Sequence, residues 1–594
     1  GNIIGSYNGT NYSSVSALGA AMGSDANSLN VNPFFVSDTN LTTNQGQLQA
    51  GISIASVTTD IDGTVRGNPP TIGAKEYAGC NNDAGINRVI YPTSPLSSTT
   101  NNIEVELSNQ GNNTLSSVTI AWSVNDVVQT PYNWSGNLSS QNTANVTIAN
   151  NHTFSGASIY NLKVWVENPN GNADCNNGND TTLLENLVTP LNGVYTLGGV
   201  SPDFASFSEL ATVLNNAGQT GPVTVNVRDG VYTEQFIVQN IQGNSFTNTL
   251  TIQGESGDSS LVTLEYSDVT NTVFEFTNIN GLYLKDLGFS FTGTVWYGAS
   301  AFKMISCDTV TVKNCLFNTV RADAHYYGSN LYLEGVRGGL IEDNNFNDKS
   351  SVYIKSDNIV YSSVRVLNNI NFKSIFPFRV NSGSSSSGLK AIIRGNSFSS
   401  NSNEGFRCDM GNSSDTLIIE DNNFSPIRDG SSRHRLYTNS QNITTFKDNL
   451  IIDEAIYCEF VDTIVKNRFF GLQTGNAIEI GYSPAFIANN YIQLGGALSS
   501  AGIYLDQSSA SGSKIVNNSI ENLGTSASAY ALRLEGGATN ITVKNNIFST
   551  KNGGVPVQVP STLINPDWDY NCYYTTGNII GSYNGTNYSS VSAL

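Results

Sequence analysis

Side chains able to do chemistry are sparse in this sequence. Histidine, the group best suited to proton transfer near neutral pH, occurs three times in 594 residues: His152 in a turn, His325 in RADAHYYGSN and His434 in RDGSSRHRLYTNS. The last is the most interesting. Arg428, Arg433, His434 and Arg435 gather beside Tyr437 in a chain with only 28 Lys and Arg. Such a cluster could hold a sugar or an anion on one face, although a solvated loop whose arginines pair with nearby Asp is the favoured reading. Asp60 and Asp62 in TDIDG could ligate calcium, yet no series of further ligands follows, so a turn is expected there and no metal or cofactor. No recognisable catalytic constellation stands out, and the chain is expected not to be an enzyme.

The elements that would position these residues are announced by composition. Charged residues make up only 13% of the chain, about half the usual share. Hydrophobic residues at 39%, with 27 Tyr and 26 Phe, still supply a core. They recur at close intervals between Asn, Ser, Thr and Gly, which points to short strands and turns and not to long helices. A net charge of -19 without dense Lys or Arg runs makes nucleic acid an unsuitable partner. No apolar run reaches the 18 to 20 residues, roughly, that cross a bilayer, so no membrane insertion is expected in this stretch. The length implies several domains unless one core grows along an axis.

Two features favour such an axis. Residues 1–18 and 577–594 both read GNIIGSYNGTNYSSVSAL, the mark of a tandem array of large units and a better reading than a duplicated tag. From about Pro190 to Asn571, one or two Asn followed by an apolar or aromatic residue recur, as in VKNCLF, IEDNNF and VKNNIF. Asn314, Asn344, Asn369, Asn396, Asn422, Asn449, Asn467, Asn490, Asn518 and Asn546 mark the cycle at a mean spacing of about 26 residues. That suits one coil of a parallel β-helix. The Asn would tolerate a left-handed corner and bond to the same amide one coil away, while the next residue stacks inward. Unrelated Asn-rich hairpin turns are the competing reading. About 15 coils of 4.8 Å would give a rod of roughly 70 Å. SFSELATVLNNAG puts Phe207, Leu210, Val213 and Leu214 on one helical face near 206–218, a cap for the first coil.

The stretches DFASFSELATVLNNAGQTGPVTVNVRDGVYTEQ, VNPFFVSDTNL and TDIDGTVRGNPPTIGAKEYAG resemble the pectin-lyase-like right-handed β-helix family as it occurs in large secreted proteins of Bacteroidetes. The resemblance covers roughly two thirds of the chain. It implies an all-β right-handed parallel β-helix over 189–576. Residues 1–79 would be the C-terminal end of the preceding unit's β-helix, and 577–594 the start of the next copy. The paired acids, His or basic residues of enzymes with this fold are not visible. Between the rods, residues 80–188 alternate as an Ig-like sandwich does. NIEVELSNQGNNTLSSVTIAWSVNDVVQ looks like the CARDB modules of adhesins. In such a sandwich Cys80 and Cys175 fall at one pole, which implies a disulfide in an oxidising setting, with two separate thiols as the alternative. Cys307, Cys315, Cys408, Cys458 and Cys572 read as small buried core residues.

Thr309, Thr416 and Thr463, each in an Asp-Thr-apolar tripeptide, match the O-glycosylation sequence of exported Bacteroidetes proteins. The whole is similar to gliding-motility adhesins of that phylum. The resemblance implies a structural and adhesive repeat unit at the cell surface, with neighbouring units in the same chain and surface polysaccharide or substratum as partners. A polysaccharide-degrading β-helix enzyme with an accessory sandwich is the alternative.

Overall fold

The computed structural model describes residues 3–594 except 34, 38–39, 44–45, 77–79, 97–99, 155–158, 267–271, 292–301, 320–330, 349–351, 357–360, 371, 373–377, 383–387, 400–405, 411–414, 426–434, 441–443, 454, 474, 497–498, 507–509, 536 and 560–562. Two compact units divide the chain, Gly1–Thr189 and Pro190–Leu594.

The second unit is a parallel β-helix. Three strands per coil build three sheets, numbered here in chain order. Sheet 1 has fifteen strands, from Leu191–Leu197 to Asp567–Asp569. Sheet 2 has a run of five from Gly230–Thr233 and a run of eight ending at Cys572–Thr575. Sheet 3 has fifteen, from Phe236–Gln239 to Thr586–Tyr588. Stacked at about 4.8 Å, fifteen strands span about 70 Å. The strands alternate buried and half-buried residues, as in Phe274–Thr277, Leu331–Glu334 and Phe378–Asn381, because successive side chains leave a strand on opposite faces. On sheet 2 the inward position stacks Phe289, Phe317, Phe346, Phe372, Phe398 and Phe424, with ring centroids 4.5–5.1 Å apart.

The asparagine column forms the corner between sheets 1 and 2. Each buried amide sits in one repeated bond set. The Asn344 backbone N–H and Nδ2 both donate to Asn369 Oδ1 at 2.9 Å, and Nδ2 also donates to the Val312 carbonyl at 2.9 Å. Asn369, Asn396, Asn422, Asn449, Asn467, Asn490 and Asn518 repeat the bond to the next member, and Asn546 passes it to Asn571. A polar atom in the core is thereby satisfied at every rung. Asn314 does not belong to this column. It is exposed and carries φ 52°, and the ladder position of its rung is Cys315, whose N–H donates to Asn344 Oδ1 at 2.8 Å. The two roles expected of one residue are split between neighbours. A left-handed column of Asn314, Asp343, Asn368, Gly395, Asp421, Asp448, Lys466, Asn489, Asn517, Asn545 and Tyr570 turns the chain, and the following residue carries the ladder. Asn571 extends the ladder by one member that the sequence reading omitted.

Helix α1 of this unit, Phe207–Asn216, buries Phe207, Leu210, Val213 and Leu214. Ser206 Oγ accepts from the Glu209 N–H, and the Glu234 carboxylate accepts from the Phe207 and Ser208 N–H groups, each at 2.9 Å. All three bonds satisfy donors that a helix start leaves open. Phe207 lies 5.4 Å from both Phe236 and Phe274, so the helix closes the aromatic core of the first coils.

The far end of this unit carries the repeated string. Gly581–Tyr583 joins sheet 3 in parallel with Val555–Val559 and folds back on Thr586–Tyr588. The first copy forms the same hairpin in the other unit: Gly5 faces Tyr12 as Gly581 faces Tyr588. In both, a leucine covers the glycine so closely that a Cβ would stand 2.6 Å from Cδ2 of Leu18 or Leu594.

In the first unit, three antiparallel strands (Ala84–Tyr91, Thr100–Asn109, Thr143–Thr153) and five more (Leu115–Val124, Val127–Val128, Tyr132–Leu138, Tyr160–Glu167, Thr181–Leu187) make two sheets. Their shared core includes Ile103, Val105, Ile120, Trp122, Leu162 and Val164. The segment before them has two hairpins, a helix at Val15–Met22 and an irregular stretch. Asp60 organises that stretch: Oδ1 accepts from the Asp62 and Thr64 N–H groups and Oδ2 from the Glu76 N–H. Its carboxylate makes a turn, and these bonds, led by that from Glu76, hold its pKa below the ordinary value.

Candidate functional site

The outer face of sheet 3 gathers the groups best suited to hold a ligand. The register brings Lys303, Tyr332, Tyr353, Arg379, Arg407, Tyr437, Tyr457, Glu479, Tyr504 and Arg533 into one column. Two positions along each strand, Glu334, Lys355, Asn381 and Asp409 form a second column. The Tyr332 and Tyr353 rings meet edge to face at 5.3 Å, and the Arg379 guanidinium lies 5.1 Å from the Tyr353 ring. Tyr332 donates to Glu334 Oε2 at 2.8 Å, Lys355 pairs with Glu334, and Arg407 Nε donates to Asp409 Oδ2 at 2.6 Å. Further along, Arg533 stacks 5.1 Å from Tyr504 and 5.6 Å from Tyr530 and pairs with Glu535. The Tyr504 hydroxyl lies 2.7 Å from Asp506 Oδ1 and 2.9 Å from Glu535 Oε2. One O–H proton cannot serve both carboxylates at once.

Burial is the main cause that raises the phenol pKa values of Tyr332, Tyr353 and Tyr504. The hydrogen bonds to Glu334, and to Asp506 and Glu535, add to it for the first and last, and Arg379 opposes it at Tyr353. These phenols therefore stay neutral donors. Rings and guanidinium planes offer stacking surfaces, and carboxylates and amides offer bonds to hydroxyls. The arrangement fits a polyhydroxylated chain lying across successive coils.

Of the sequence cluster, Tyr437 stands in this column between Arg407 and Tyr457, and Arg435 begins the same strand, Arg435–Ser440. Arg428, Arg433 and His434 lie outside the described residues, as does His325. The rest of the column escaped sequence reading. Its signal was a Tyr or Arg at the second place of short strands such as LYLE, VYIK, FRVN and FRCDM.

Thr309, Thr416 and Thr463 are half-buried on sheet 1 strands. The Asp before each is engaged: Asp308 with Arg337 at 2.8 Å, Asp415 with the Leu389 N–H and Asp462 with the Thr444 N–H, also at 2.8 Å. His152 sits in the sandwich edge to face with Trp122 and Phe154, and burial lowers its pKa. Cys307, Cys315, Cys408 and Cys458 are buried, and burial pushes the Cys315 thiol up to about 12. Cys572 departs from expectation. It is exposed, because it pairs with Ile547 at an outward place of sheet 2.

Cys80 and Cys175 are bonded to each other with Cα atoms 5.9 Å apart. They join two loops dense in Asp and Asn, in which Asp83 Oδ1 accepts from Asn179 Nδ2 at 2.8 Å and Asp174 accepts from the Ala84 and Asn176 N–H groups. Burial pushes Asp83 up to about 7, helped by the charge of Asp174, and Asp180 likewise to about 7.

The described part of Pro190–Leu594 is a parallel β-solenoid. No known family matches the sequence, and no curated protein matches it. Among solved structures, the chain is similar to a family 28 exopolygalacturonase of Yersinia enterocolitica, with a TM-score of 0.25 and 9% identity over 84% of this chain and 99% of that one. It is also similar to PfbA, a surface adhesin of Streptococcus pneumoniae, with a TM-score of 0.28 and 13% identity over 59% and 85%. The expectation that the chain is not an enzyme is corrected by the first of these. That similar structure is of an enzyme. No helix among the described residues is long and apolar enough to cross a membrane.

Proposed function

We propose that this chain is a repeat unit of a very long secreted surface adhesin, of the gliding-motility type of Bacteroidetes, and that the outer face of sheet 3 grips polysaccharide. In this reading the 80–188 sandwich is an Ig-like spacer, residues 1–79 finish the rod of the preceding unit, and Thr309, Thr416 and Thr463 carry O-glycans. The column of Tyr and Arg on sheet 3 is the observation that supports it most. Stacking groups repeat about every 4.8 Å along the rod, and many weak contacts along one ligand, or along several linked units, add through avidity. A panel of surface and plant polysaccharides presented to the full chain should show retention. Tyr353→Ala and Tyr504→Ala should each weaken retention about tenfold, the worth of one stacked contact of about 1.4 kcal/mol. Retention by no member of the panel, or unchanged retention by both variants, would overturn the reading.

A second reading, polysaccharide cleavage, is favoured by Asp506 and Glu535, two carboxylates brought to one phenol on this face. Most enzymes that hydrolyse glycosidic bonds use a pair of carboxylates. Release of reducing ends from the same panel, abolished in Glu535→Gln, would establish cleavage; retention without release leaves adhesion.

A further inference from the structure

The disulfide pole of the sandwich holds more negative charge than its hydrogen bonds account for. Asp83 is fully buried; Asn179 holds its Oδ1, and its Oδ2 lacks a hydrogen bond of ordinary geometry, although the Asn176 amide stands close enough to lower the carboxyl's pKa. Asn179 Oδ1 and Asp180 Oδ1 are likewise buried and without a hydrogen bond. Three oxygens in this state within one pair of loops are costly, since each buried acceptor has given up its bonds to water and gained none in return. No basic side chain answers them: among the described residues, the ion pairs of this unit are Arg66–Glu76, Lys75–Asp62 and Arg88–Glu106.

The backbone around the acids is fixed from both loops. The Cys175 N–H donates to the Asn82 carbonyl at 3.2 Å, the Ile86 N–H to the Asn179 carbonyl at 3.2 Å, and Asp174 holds the Ala84 N–H at 2.9 Å. The disulfide closes the same pair of loops. Unsatisfied carboxylate and amide oxygens, held in place on two tethered loops, are what a hard divalent cation recognises.

We infer that Asp83 Oδ2, Asn179 Oδ1 and Asp180 Oδ1 are protein ligands of a calcium ion that ties the loop after Cys80 to the loop after Cys175. Two carboxylates and an amide, completed by water and backbone carbonyls, match the all-oxygen, adaptable shell of calcium. They offer none of the sulfur or imidazole that zinc selects. This is not a ready-made cluster of three acids, and none occurs among the described residues. Asp174, occupied by backbone N–H groups, positions the loops and binds no metal directly. Asp60 is no such site: backbone N–H groups of Asp62, Thr64 and Glu76 hold its carboxylate in the expected turn.

The test uses the full chain, stripped with EGTA and titrated with CaCl2 by calorimetry, with thermal unfolding followed in parallel. One calcium per chain is expected, with an upward shift of the sandwich transition. Asp83→Asn and Asp180→Asn should each weaken binding at least tenfold. Asp180 is only half-buried, so its variant keeps the test valid if Asp83→Asn fails to fold. Neither heat nor a thermal shift at millimolar CaCl2 would overturn the site, as would equal binding by wild type and Asp180→Asn. Crystals grown in CaCl2 that show only water against Asp83 would overturn it too.

Discussion

His152 shows how one side chain can tie a fold to pH. Packed between Trp122 and Phe154, it has a pKa lowered by burial. The folded state holds it neutral, while the unfolded chain takes up a proton near pH 6.5. Its contribution is thus fully present above that pH and is lost as pH falls below it. Thermal unfolding from pH 7.5 to 5 should show a smaller loss in His152→Phe than in wild type; equal losses would remove His152 as the cause. At the same scale the sequence was only half legible. Where two Asn stand in tandem, as at Asn368 and Asn369, both the left-handed place and the ladder place are filled with the residue type each favours. In VKNCLF a single Asn fills the left-handed place, and nothing in the string says which role it takes. The acids of the sandwich pole were illegible for another reason, since Asp83 and Asn179 meet across 96 residues.

Among the elements, the corner ladder and the Phe stack carry the rod in different ways. Asn449→Ala removes the acceptor of both the Asn422 N–H and its Nδ2. It should cost about 3 kcal/mol in denaturant unfolding and speed amide exchange in the flanking coils. Asn314→Gly, at an exposed left-handed place, should change stability by less than about 0.5 kcal/mol. Equal effects at the two positions would refute the division of roles between the adjacent columns. Phe398→Ala opens a cavity between Phe372 and Phe424 and should cost about 3–5 kcal/mol by the same measurement. The ladder, the stack and the capping helix were readable because each depends on a local pattern repeated coil after coil. The outer column of sheet 3 was not. It needs the register between coils of unequal length, which tertiary pairing alone decides.

At the scale of the molecule, the repeated hairpin bears on how units join. The second copy lies on the last strands of the rod, where Tyr570, Ile564 and Val591 are exposed. After the first copy, the stretch from 19 to 79 displays Ile52, Ile61 and Val65, each at least 75% exposed. Where exposed apolar side chains adjoin, they mark a surface that a partner covers. If units join as proposed, appending residues 19–79 after Leu594 should raise the melting temperature of the rod by several degrees. It should also shift Trp568 emission to shorter wavelength, and an unchanged melt and spectrum would count against the join.

Successive ladder asparagines are separated by as few as 18 and as many as 28 residues, yet the bonds at their corner are the same throughout. Every insertion and deletion has therefore been absorbed elsewhere on the circumference. A foreign peptide spliced into a coil away from that corner should be carried outward as a decoration, which makes this backbone a natural frame for displaying sequence in regular rows.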